Sequence, residues 1–527
     1  MNQAPLGETG GGHPAADDEQ ALGGEATDPQ STGVTDAGIT QDVGITEESA
    51  AASDLVEPGH PQPPAPVGDP IATVVIVNYN GAHLLPPCLD GLAAQDMPFG
   101  SFRTVVVDNA SADPSRDLIR EEYPNVDLMV SYRNRGFAGG NNVALDAVTT
   151  KYAVLLNNDA IPEPDWLRRL LAPLEKDQTG TLVATSSKII FMPRFVPVRF
   201  STEPFRPGGL DPRELGVKIY EVHIDGLPVT DKVLFERGTY GPEGTAHEQY
   251  RWSRPTGEFL VPLPVSGETR GSGERSEHTV TITTAAFKSK DVTFTIGDDS
   301  ITVTAPDGTR ETIEAQLGVT PRVPTLDVVN NVGGIVFVDG AGADRGFEEV
   351  DEGQYEKTEE VFTACGNGVA IRTDAGRAAG WFDDRYFMYY EDVDLSWRLR
   401  AAGGRIFYVP DAILRHHHGA SSKPWSPSWV FHVERNRLLT LTKDASAGRA
   451  AKGVLRFAGG TGKMAARTLV QGVRARQRPA LGPLAARGRV LRSYLRLLPG
   501  LLADRRRIAR TASVPRTKLE EWLVTSR

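Results

Sequence analysis

Between residues 71 and 174 the sequence alternates short β-branched runs with segments of helical spacing, and this alternation limits the possible folds more than any other feature. The strand-like runs are residues 71–77, 102–109, 126–130 and 152–157. The helix-like segments between and after them are residues 83–95, 113–123, 139–148 and 164–174. Continuous apolar runs are typical of strands buried on both faces, and intervening helices connect parallel strands. The pattern therefore predicts an α/β fold with a mostly parallel, doubly wound sheet.

The alternation stops near residue 193, and the rest of the chain differs in composition. Segments such as TVTIT and VTFTI, after residue 278, place Thr on one side and Val, Ile or Phe on the other, which predicts half-exposed antiparallel strands. We predict five regions. They are a disordered acidic tail and linker (1–69), a first α/β half (70–194), an inserted β-rich module (195–330), a second α/β half (331–445) and a basic amphipathic helical tail (446–527).

The charges and cysteines narrow the class of protein. The net charge is −11, but residues 1–69 hold thirteen acids and no Lys or Arg, whereas residues 449–510 hold sixteen Lys or Arg and one acid. The two cysteines, Cys88 and Cys365, argue against a disulfide framework or a cysteine zinc site and suit a reducing cytoplasm. The sequence shows neither a signal peptide nor an apolar run of membrane-spanning length. We therefore expect a cytoplasmic protein.

Polar residues follow each predicted strand of the first half. Ligands of parallel sheets collect at the carboxyl ends of strands, and the glycines of NRGFAGGNN (134–142) open a helix N-terminus suited to phosphate. These endings together predict one nucleotide-sized pocket, although any one of them can be a simple turn. Its candidate residues are Asn78, Tyr79, Asn80, Asp108, Asn109, Arg135, Gly136, Asn141, Asn157, Asn158 and Asp159.

Several longer stretches occur in the order typical of one family. They are VVIVNYNG, VVVDNAS, NRGFAGGNN, LLNNDAIPEPDWL, GWFDDRYFMYYEDVDLSWRLRAAGGRIFYVP and AILRHHHGAS. The chain resembles glycosyltransferase family 2, particularly the bacterial branch of rhamnosyl- and galactofuranosyltransferases that build cell-envelope polysaccharide. The resemblance covers residues 71–193 and 361–440 by motif. It implies the GT-A fold, a nucleotide-diphosphate sugar donor and inversion of the anomeric centre.

The resemblance also implies roles for individual residues. Asp159 matches the metal-coordinating Asp of the family's DxD motif, in which Asn157 replaces the first Asp, and His416 matches a residue that can ligate the metal, Mn²⁺ or Mg²⁺. Asp392 matches the general base, and Glu391 is expected to orient it or to contact the acceptor. The residues that resemble an acceptor site are Gly366, Asn367, Gly368, Trp381 and Asp383.

Simpler interpretations remain open for these motifs. Asn157–Asp159 can be a turn that closes a strand, and the acids from Glu391 to Asp394 can cap a helix N-terminus. Asp394 can pair with Arg398 or Arg400, and Trp381 can belong to the core rather than to a sugar site.

The basic tail contains a predicted amphipathic helix. In residues 484–498, Leu, Val and Tyr share one broad arc of a helical wheel, with Arg489, Arg492 and Arg496 opposite. Such a helix can lie on an anionic membrane surface through residues 484–510, or it can pack its apolar face on the protein. No recognition motif indicates nucleic-acid binding.

We therefore expect an inverting, metal-dependent glycosyltransferase. We expect it to transfer rhamnose or galactofuranose from a nucleotide-diphosphate donor to a lipid-linked cell-envelope glycan at the inner face of the plasma membrane. One alternative is a non-catalytic glycan-binding or scaffold protein built on a transferase domain, but both Asp159 and Asp392 are retained. Another is a dinucleotide-dependent oxidoreductase, but the GFAGG pattern follows the third strand and lacks the expected spacing. The role of residues 195–325 stays open.

Overall fold

The computed structural model describes residues 69–525 except 210, 236, 246–247, 265–276, 308–310, 418–425 and 476–480. The predicted acidic tail of residues 1–69 lies outside this range, apart from Asp69. Among the described residues, no helix combines the length and the apolarity that a transmembrane span requires.

The first part of the chain alternates strands and helices as its sequence pattern predicts. The strands are β1 (Ala72–Asn78), β2 (Phe102–Asn109), β3 (Val126–Ser131), β4 (Tyr152–Leu156), β5 (Ala160–Pro162) and β6 (Leu182–Phe191). The helices are α1 (Leu85–Ala93), α2 (Ser115–Glu122), α3 (Gly136–Leu145) and α4 (Trp166–Lys176). Helix α3 begins three residues earlier than predicted because Asn134 Oδ1 accepts a hydrogen bond from the Gly136 amide (2.8 Å).

The next part is an antiparallel β module. Its strands are β7 (Phe195–Thr202), β8 (Lys218–Ile224), β9 (Leu227–Pro228), β10 (Thr239–Thr245), β11 (Glu248–Ser253), β12 (Thr256–Pro262), β13 (His278–Ala285), β14 (Lys290–Ile296), β15 (Asp299–Ala305) and β16 (Ile313–Val319). They form a six-stranded and a four-stranded sheet that share one apolar core, to which β14 contributes Val292, Phe294 and Ile296. The module begins and ends side by side, because Phe195 and Leu326 exchange backbone hydrogen bonds of 2.9 and 2.8 Å.

The chain then returns to the central sheet. The strands of this part are β17 (Val329–Asn331), β18 (Gly334–Val336), β19 (Gly342–Asp344), β20 (Glu359–Glu360), β21 (Gly368–Arg372) and β22 (Arg405–His416). Its helices are α5 (Thr373–Ala379) and α6 (Glu391–Ala401). Short 3-10 turns occur at Thr230–Lys232, Asp384–Tyr386 and Glu520–Trp522.

The topology of the central sheet brings several strand ends to one rim. Its order is β20-β22-β6-β21-β4-β1-β2-β3, in which β1 to β4 are mutually parallel and β22 is parallel to β6. Strand β21 runs antiparallel to β4, so Gly368 pairs with Leu156 where β4 ends. Strand β22 ends beside β5, with His416 opposite Ala160. The predicted α/β class with a mostly parallel central sheet is confirmed.

Four helices complete the described chain. They are α7 (Pro427–Asp444), α8 (Ala447–Ala475), α9 (Gly482–Thr511) and α10 (Arg516–Leu519). The apolar side of α9, with Val490, Tyr494 and Leu501, is buried against Leu438 and Leu439 of α7. Of the two interpretations of this helix, the structure therefore favours the packed one: protein covers Val490, Tyr494 and Leu501 of the apolar face, whereas Leu495 is 54% exposed.

Candidate active site

The rim of the central sheet is held together by paired amide side chains. Asn158 Nδ2 donates to Asn78 Oδ1 at 2.8 Å, and both residues are buried. Gly81 allows this approach, since a Cβ at that position would lie 2.4 Å from Asn158 Nδ2 and 2.5 Å from Asn78 Oδ1. The predicted strand-end residues of β1 and β4 are thus brought together.

The end of β2 adds a buried carboxylate to the same rim. Asp108 lies opposite Asn78 in the sheet and is fully buried. Arg116 Nε donates to Asp108 Oδ2 at 2.6 Å. Beside them Tyr79 is half exposed, and Asn80 has a positive φ of 53° and accepts a hydrogen bond from the Ala112 amide. Buried polar groups, Asn78 and Asp108, therefore lie beside the exposed Tyr79 and Asn80 where the sequence predicts a donor pocket.

Three other predicted donor residues have structural partners. Asn109 Nδ2 donates to Asn134 Oδ1 and to the Gly136 carbonyl, and Asn109 Oδ1 accepts from the Arg135 amide at 2.9 Å. Asn141 is buried and donates to the Phe137 carbonyl one turn earlier in α3. The side chains of Asn109 and Asn141 therefore hold the β2–α3 region in place rather than facing the cleft.

Gly136 has a different function in the fold. Its φ is +69°, and a Cβ there would lie 2.2 Å from the Phe387 carbonyl oxygen. The same carbonyl accepts a hydrogen bond from the Ala138 amide (3.1 Å). Only a glycine permits this contact, which joins the start of α3 to the loop that precedes α6.

Asp159 and His416 form the candidate metal site. His416 Nε2 lies 3.1 Å from Asp159 Oδ1, and both residues are buried. Nδ1 of the same imidazole lies 3.1 Å from Asn330 Oδ1, which orients the ring. Apart from the imidazole of His416, no described residue is placed to donate a hydrogen bond to Asp159 Oδ1.

This pair fits a divalent ion only in part. In the described part of the chain, no group of three His, Cys, Asp or Glu side chains is placed to hold a metal. A carboxylate oxygen and an imidazole nitrogen suit Mn²⁺, whereas Mg²⁺ prefers oxygen ligands. The remaining positions would have to come from the diphosphate of the donor and from water.

Residues 366 and 367 connect the candidate metal site to the predicted base. Asn367 Oδ1 accepts from Asn157 Nδ2 at 2.8 Å, and its carbonyl accepts from the Asn157 amide at 3.1 Å. Asn367 Nδ2 also lies 3.4 Å from His416 Nε2. The preceding residue, Gly366, donates its amide to Asp392 Oδ2 at 3.3 Å. The two carboxylates Asp159 and Asp392 are therefore linked through two consecutive residues.

The first residues of α6 are desolvated acids. Burial raises the pKa of Asp392 to about 6, although the amides of Gly366 and Val393 act in the opposite direction. Burial, and then the neighbouring Asp392, raise the pKa of Glu391 well above its usual value. The raised pKa favours the neutral form of Glu391, whereas Asp392, with a pKa of about 6, is mostly ionised near neutral pH, which suits a base.

The loop before α6 has an unusual backbone. Phe387, Tyr389 and Tyr390 all have φ between 66° and 70°. Each such non-glycine residue costs on the order of 1 kcal/mol or more. The buried amide of Asn436 on α7 offsets this strain by donating to the carbonyls of Tyr386, Met388 and Tyr389 at 3.0, 2.8 and 2.7 Å. Helix α7 thus sets the position of Glu391 and Asp392.

Two residues predicted to line the acceptor site lie elsewhere. Trp381 is 3% exposed and belongs to the hydrophobic core. Asp383 pairs with Arg385 and with Lys443 Nζ (2.7 Å), which lower its pKa against the effect of burial. Both residues border a polar pocket of about 380 Å³ that contains neither Asp159 nor Asp392. Trp381 and Asp383 therefore have a structural environment, whereas Gly366, Asn367 and Gly368 lie at the rim.

The sequence did not single out Asp344, Asn330 or Asn436. Asp344 ends β19, and its charge acts on Cys365 and Asp392, so it faces the same cleft. In the sequence it stands in ADRGFEE, an acidic stretch without helical or strand spacing. Asn436 lies within a helix whose pattern indicates only burial. No signal of composition or spacing distinguishes these residues.

Comparisons with known proteins concern mainly the first α/β half of the chain. Residues 73–223 match the family model described as "Glycosyl transferase family 2". The chain is 26% identical over 103 residues to "Glycosyltransferase AglE" of Haloferax volcanii, a match that covers 19% of this chain and 34% of that protein. It is 47% identical over 57 residues to "N-acetylglucosaminyl-diphospho-decaprenol L-rhamnosyltransferase" of Mycobacterium tuberculosis, with 11% and 19% covered. The matches thus span about a third or less of these relatives.

A solved structure is more distant. The "Mannosyltransferase PcManGT from Pyrobaculum calidifontis in complex with GDP-Man and Mn2+" is 16% identical, with 88% of this chain and 82% of that chain covered. Its TM-score of 0.33 is too low to establish a common fold. The prediction of a glycosyl transferase family 2 domain is confirmed by the family model, whereas the rhamnosyl- or galactofuranosyltransferase branch stays a prediction.

Proposed function

We propose that this chain, which carries a glycosyl transferase family 2 domain at residues 73–223, transfers a sugar from a nucleotide-diphosphate donor to a hydroxyl with inversion. One observation carries the proposal. Asp392, a carboxylate with a raised pKa, is joined by Gly366 and Asn367 to the Asp159–His416 pair. A single displacement requires a general base and a group that binds the leaving diphosphate to be held close to each other.

The chemistry follows from these positions. The acceptor oxygen attacks the anomeric carbon from the face opposite the diphosphate, the carbon–phosphate oxygen bond breaks, and Asp392 takes the hydroxyl proton. One displacement inverts the configuration. Burial and the neighbouring Asp392 raise the pKa of Glu391, which favours its neutral form beside the ionised base. Since a carboxylate with a pKa of about 6 is ionised at neutral pH, it is a competent base there.

Asp159 and His416 would hold the divalent ion that such donors bring. When bound, the ion offsets the charge of the leaving diphosphate. The chain's own contribution is the fixed placement of these two ligands. The Asn330 contact orients the imidazole, and the Asn78–Asn158 pair sits beside Asp159 at the end of β4. We propose Asn78, Asn157, Asn158 and Asp108 as the donor-binding rim.

We propose rhamnose or galactofuranose as the sugar and a lipid-linked glycan as the acceptor. The mycobacterial relative supports this proposal, because its name describes transfer of L-rhamnose to a diphospho-decaprenol-linked sugar. That match includes only 57 residues, so it supports the class of substrate and not its identity.

We further propose that the protein works at the inner face of the plasma membrane, through helix α8 rather than α9. Leu455, Leu469 and Val470 are 71%, 54% and 50% exposed and lie within about 100° of the helix circumference. The adjacent arc carries exposed basic residues: Lys452, Arg456, Lys463 and Arg467. Apolar side chains beside a basic stripe suit an anionic lipid surface, at ~1 kcal/mol per basic residue.

The activity is tested by offering the purified chain a panel of nucleotide sugars with a synthetic diphospho-polyprenol-linked acceptor and analysing products by mass spectrometry. We expect acceptor mass to rise by one sugar with wild-type protein and not with Asp392→Asn. Absence of any product across the panel would remove the proposed activity.

Membrane association is tested by flotation with vesicles that contain anionic lipid. The double variant Leu455→Glu, Leu469→Glu is expected to lose flotation, while the control Leu227→Glu, an exposed leucine of the β module, keeps it. Equal flotation of both variants would contradict the assignment to α8.

A further inference from the structure

The hairpin of β18 and β19 carries an acidic residue into the cleft and is firmly anchored. Its two strands pair from Gly334–Asp344 to Val336–Gly342. The C-terminal segment braces its outer side, since the Val524 amide donates to Val336 and the Val338 amide donates to Val524, both at 2.9 Å. The end of this hairpin is therefore a fixed position and not a free loop.

The hairpin and the adjoining strand β17 contact the two sides of the candidate active site. The Gly342 amide donates to Tyr390 Oη at 2.9 Å, next to Glu391 and Asp392. On the other side, Asn330 of the adjoining β17 contacts His416. Asn331, the next residue, donates its side-chain amide to Asp344 Oδ1 at 2.5 Å. Asn331 thus orients Asp344, and the preceding residue, Asn330, orients His416.

The carboxylate of Asp344 has no Lys or Arg partner among the described residues, and the imidazole of His416 acts electrostatically to favour its charged form. The residue stays exposed to solvent through the cleft, yet the surrounding protein desolvates its carboxyl group enough to raise its pKa. Asn331 fixes one oxygen, so the second oxygen is available to a ligand from the cleft. A desolvated, unpaired acid that remains accessible is typical of a binding site.

We propose that Asp344 is an acceptor-binding residue whose carboxylate accepts a hydrogen bond from an acceptor sugar hydroxyl next to the one that Asp392 deprotonates. This inference rests on the proposed glycosyl transfer. The hairpin touches Tyr390, which precedes the base, and the Asp344 charge acts on Asp392 and on Cys365, beside the Gly366–Asn367 link. Asp344 also acts electrostatically on His416, but it forms no three-ligand group with Asp159 and His416 among the described residues. We therefore place it on the acceptor side of the cleft rather than in the metal site.

The test compares Asp344→Asn with wild type in the full chain, using the diphospho-polyprenol-linked acceptor and the donor that give product. Hydrogen bonds to charged groups contribute about 1.5–3 kcal/mol, so we expect the KM for acceptor to rise roughly 10- to 100-fold. The KM for donor and the Mn²⁺ concentration for half-maximal rate are expected to stay within about twofold, because Asp344 does not contact them. Glu352→Gln, an exposed acid of the following loop, serves as the control.

The possible outcomes separate the two proposals. Absence of transfer by wild type overturns the glycosyl transfer itself. Transfer by wild type with an unchanged acceptor KM in Asp344→Asn overturns the role of Asp344. A raised Mn²⁺ requirement with unchanged acceptor KM also overturns it, since Asp344 would then be a metal ligand. Should Asp344→Asn unfold below the wild-type temperature, Asp344→Ser provides the same comparison, and a normal acceptor KM in that variant refutes the inference.

Discussion

The acids in the first turn of helix α6 have opposite surroundings: Asp394 is paired with cations, whereas Glu391 and Asp392 are not. Asp394 is fully buried and pairs with Arg398 Nη2 and Lys443 Nζ, each at 2.7 Å. These cations lower the pKa of Asp394 overall, although burial alone raises it. Glu391 and Asp392 are desolvated too, but they have raised pKa values and no such ion pairs. The first turn of the helix therefore carries one acid that is neutralised by cations and two acids that are not.

The difference separates structural from chemical roles. A buried carboxylate without a cation destabilises the fold, because its ionised form loses hydration that nothing replaces. The paired acid, Asp394, joins α6 to Lys443 of α7. The unpaired acids, Glu391 and Asp392, retain the reactivity that a base needs. If this division is correct, substitutions on the two sides should affect different properties.

The largest effect on the rate of transfer is expected at Asp392. Asp392→Asn removes the proton acceptor while keeping its shape, so the rate of transfer should fall about 10²- to 10⁴-fold. The free energy of unfolding should not decrease, since a desolvated charge is removed. Steady-state kinetics and urea unfolding measure the two quantities. Transfer at a wild-type rate would show that another group is the base.

A comparably large effect, but on stability, is expected when the ion pairs of Lys443 with Asp383 and Asp394 are removed. Lys443→Met leaves Asp383 and Asp394 without their shared cation in the interior, which should lower the free energy of unfolding by about 3–5 kcal/mol. Urea unfolding gives the value. Lys518→Met, whose exposed ammonium pairs only with Glu521, is the matched control and should change stability by less than about 1 kcal/mol.

Substitution of Asn436 tests whether helix α7 sets the position of Asp392 through the loop before α6. Asn436→Ala removes three hydrogen bonds from the strained backbone of residues 386–389. We expect a stability loss of about 2–3 kcal/mol and a fall in kcat of about tenfold or more, because Asp392 loses its fixed position. The variant Asn436→Asp, which donates no amide, should resemble Asn436→Ala. A loss of stability with full kcat would show that the loop does not position the base.

The pH dependence distinguishes the two acids directly. Transfer should increase through the pKa of Asp392, about 6, and be about tenfold slower at pH 5 than on its plateau. Because this pKa is raised on folding, ionisation of Asp392 destabilises the protein, and that cost is absent below the unfolded-state pKa. Asp394 has the opposite sign: its contribution to stability is lost only as pH falls below its ordinary value of 3.8. A rate that does not vary between pH 5 and 7 contradicts the assignment.

The smallest effect is expected for Glu391→Gln. Since burial and Asp392 raise the pKa of Glu391 and favour its neutral form, the amide reproduces the charge and shape of that form. Transfer should change by less than about threefold, in contrast to Asp392→Asn. A loss as large as that of Asp392→Asn, measured in the same assay, would mean that Glu391 acts in its ionised form.

The fold was largely accessible from the sequence because its signals are local. The apolar runs of β1, β2 and β4 and the alternating Thr of β14 record burial residue by residue. The strand-end residues of β1 and β4 could also be placed together, since parallel strands share one rim. These inferences need only periodicity and a general rule of topology.

The remaining features depend on contacts between distant segments. Asp344 reaches the cleft only because a hairpin is braced by the C-terminal segment, and Asn436 matters only because it meets a strained loop. Trp381 was assigned to a sugar site, but it fills a cavity beside Gly376 in the core. Helix α9 has the same amphipathic pattern whether lipid or α7 covers its apolar side. Sequence spacing cannot distinguish these partners.

The adjacent ends of the β module have a consequence for how such proteins diversify. Because Phe195 and Leu326 already hydrogen-bond to each other, a short turn can replace everything between them at little cost in chain entropy. The surrounding sheet then keeps its registration whether that cassette is large, small or absent. We therefore expect that the module can be exchanged or removed as a unit without any change in the residues proposed to perform the chemistry.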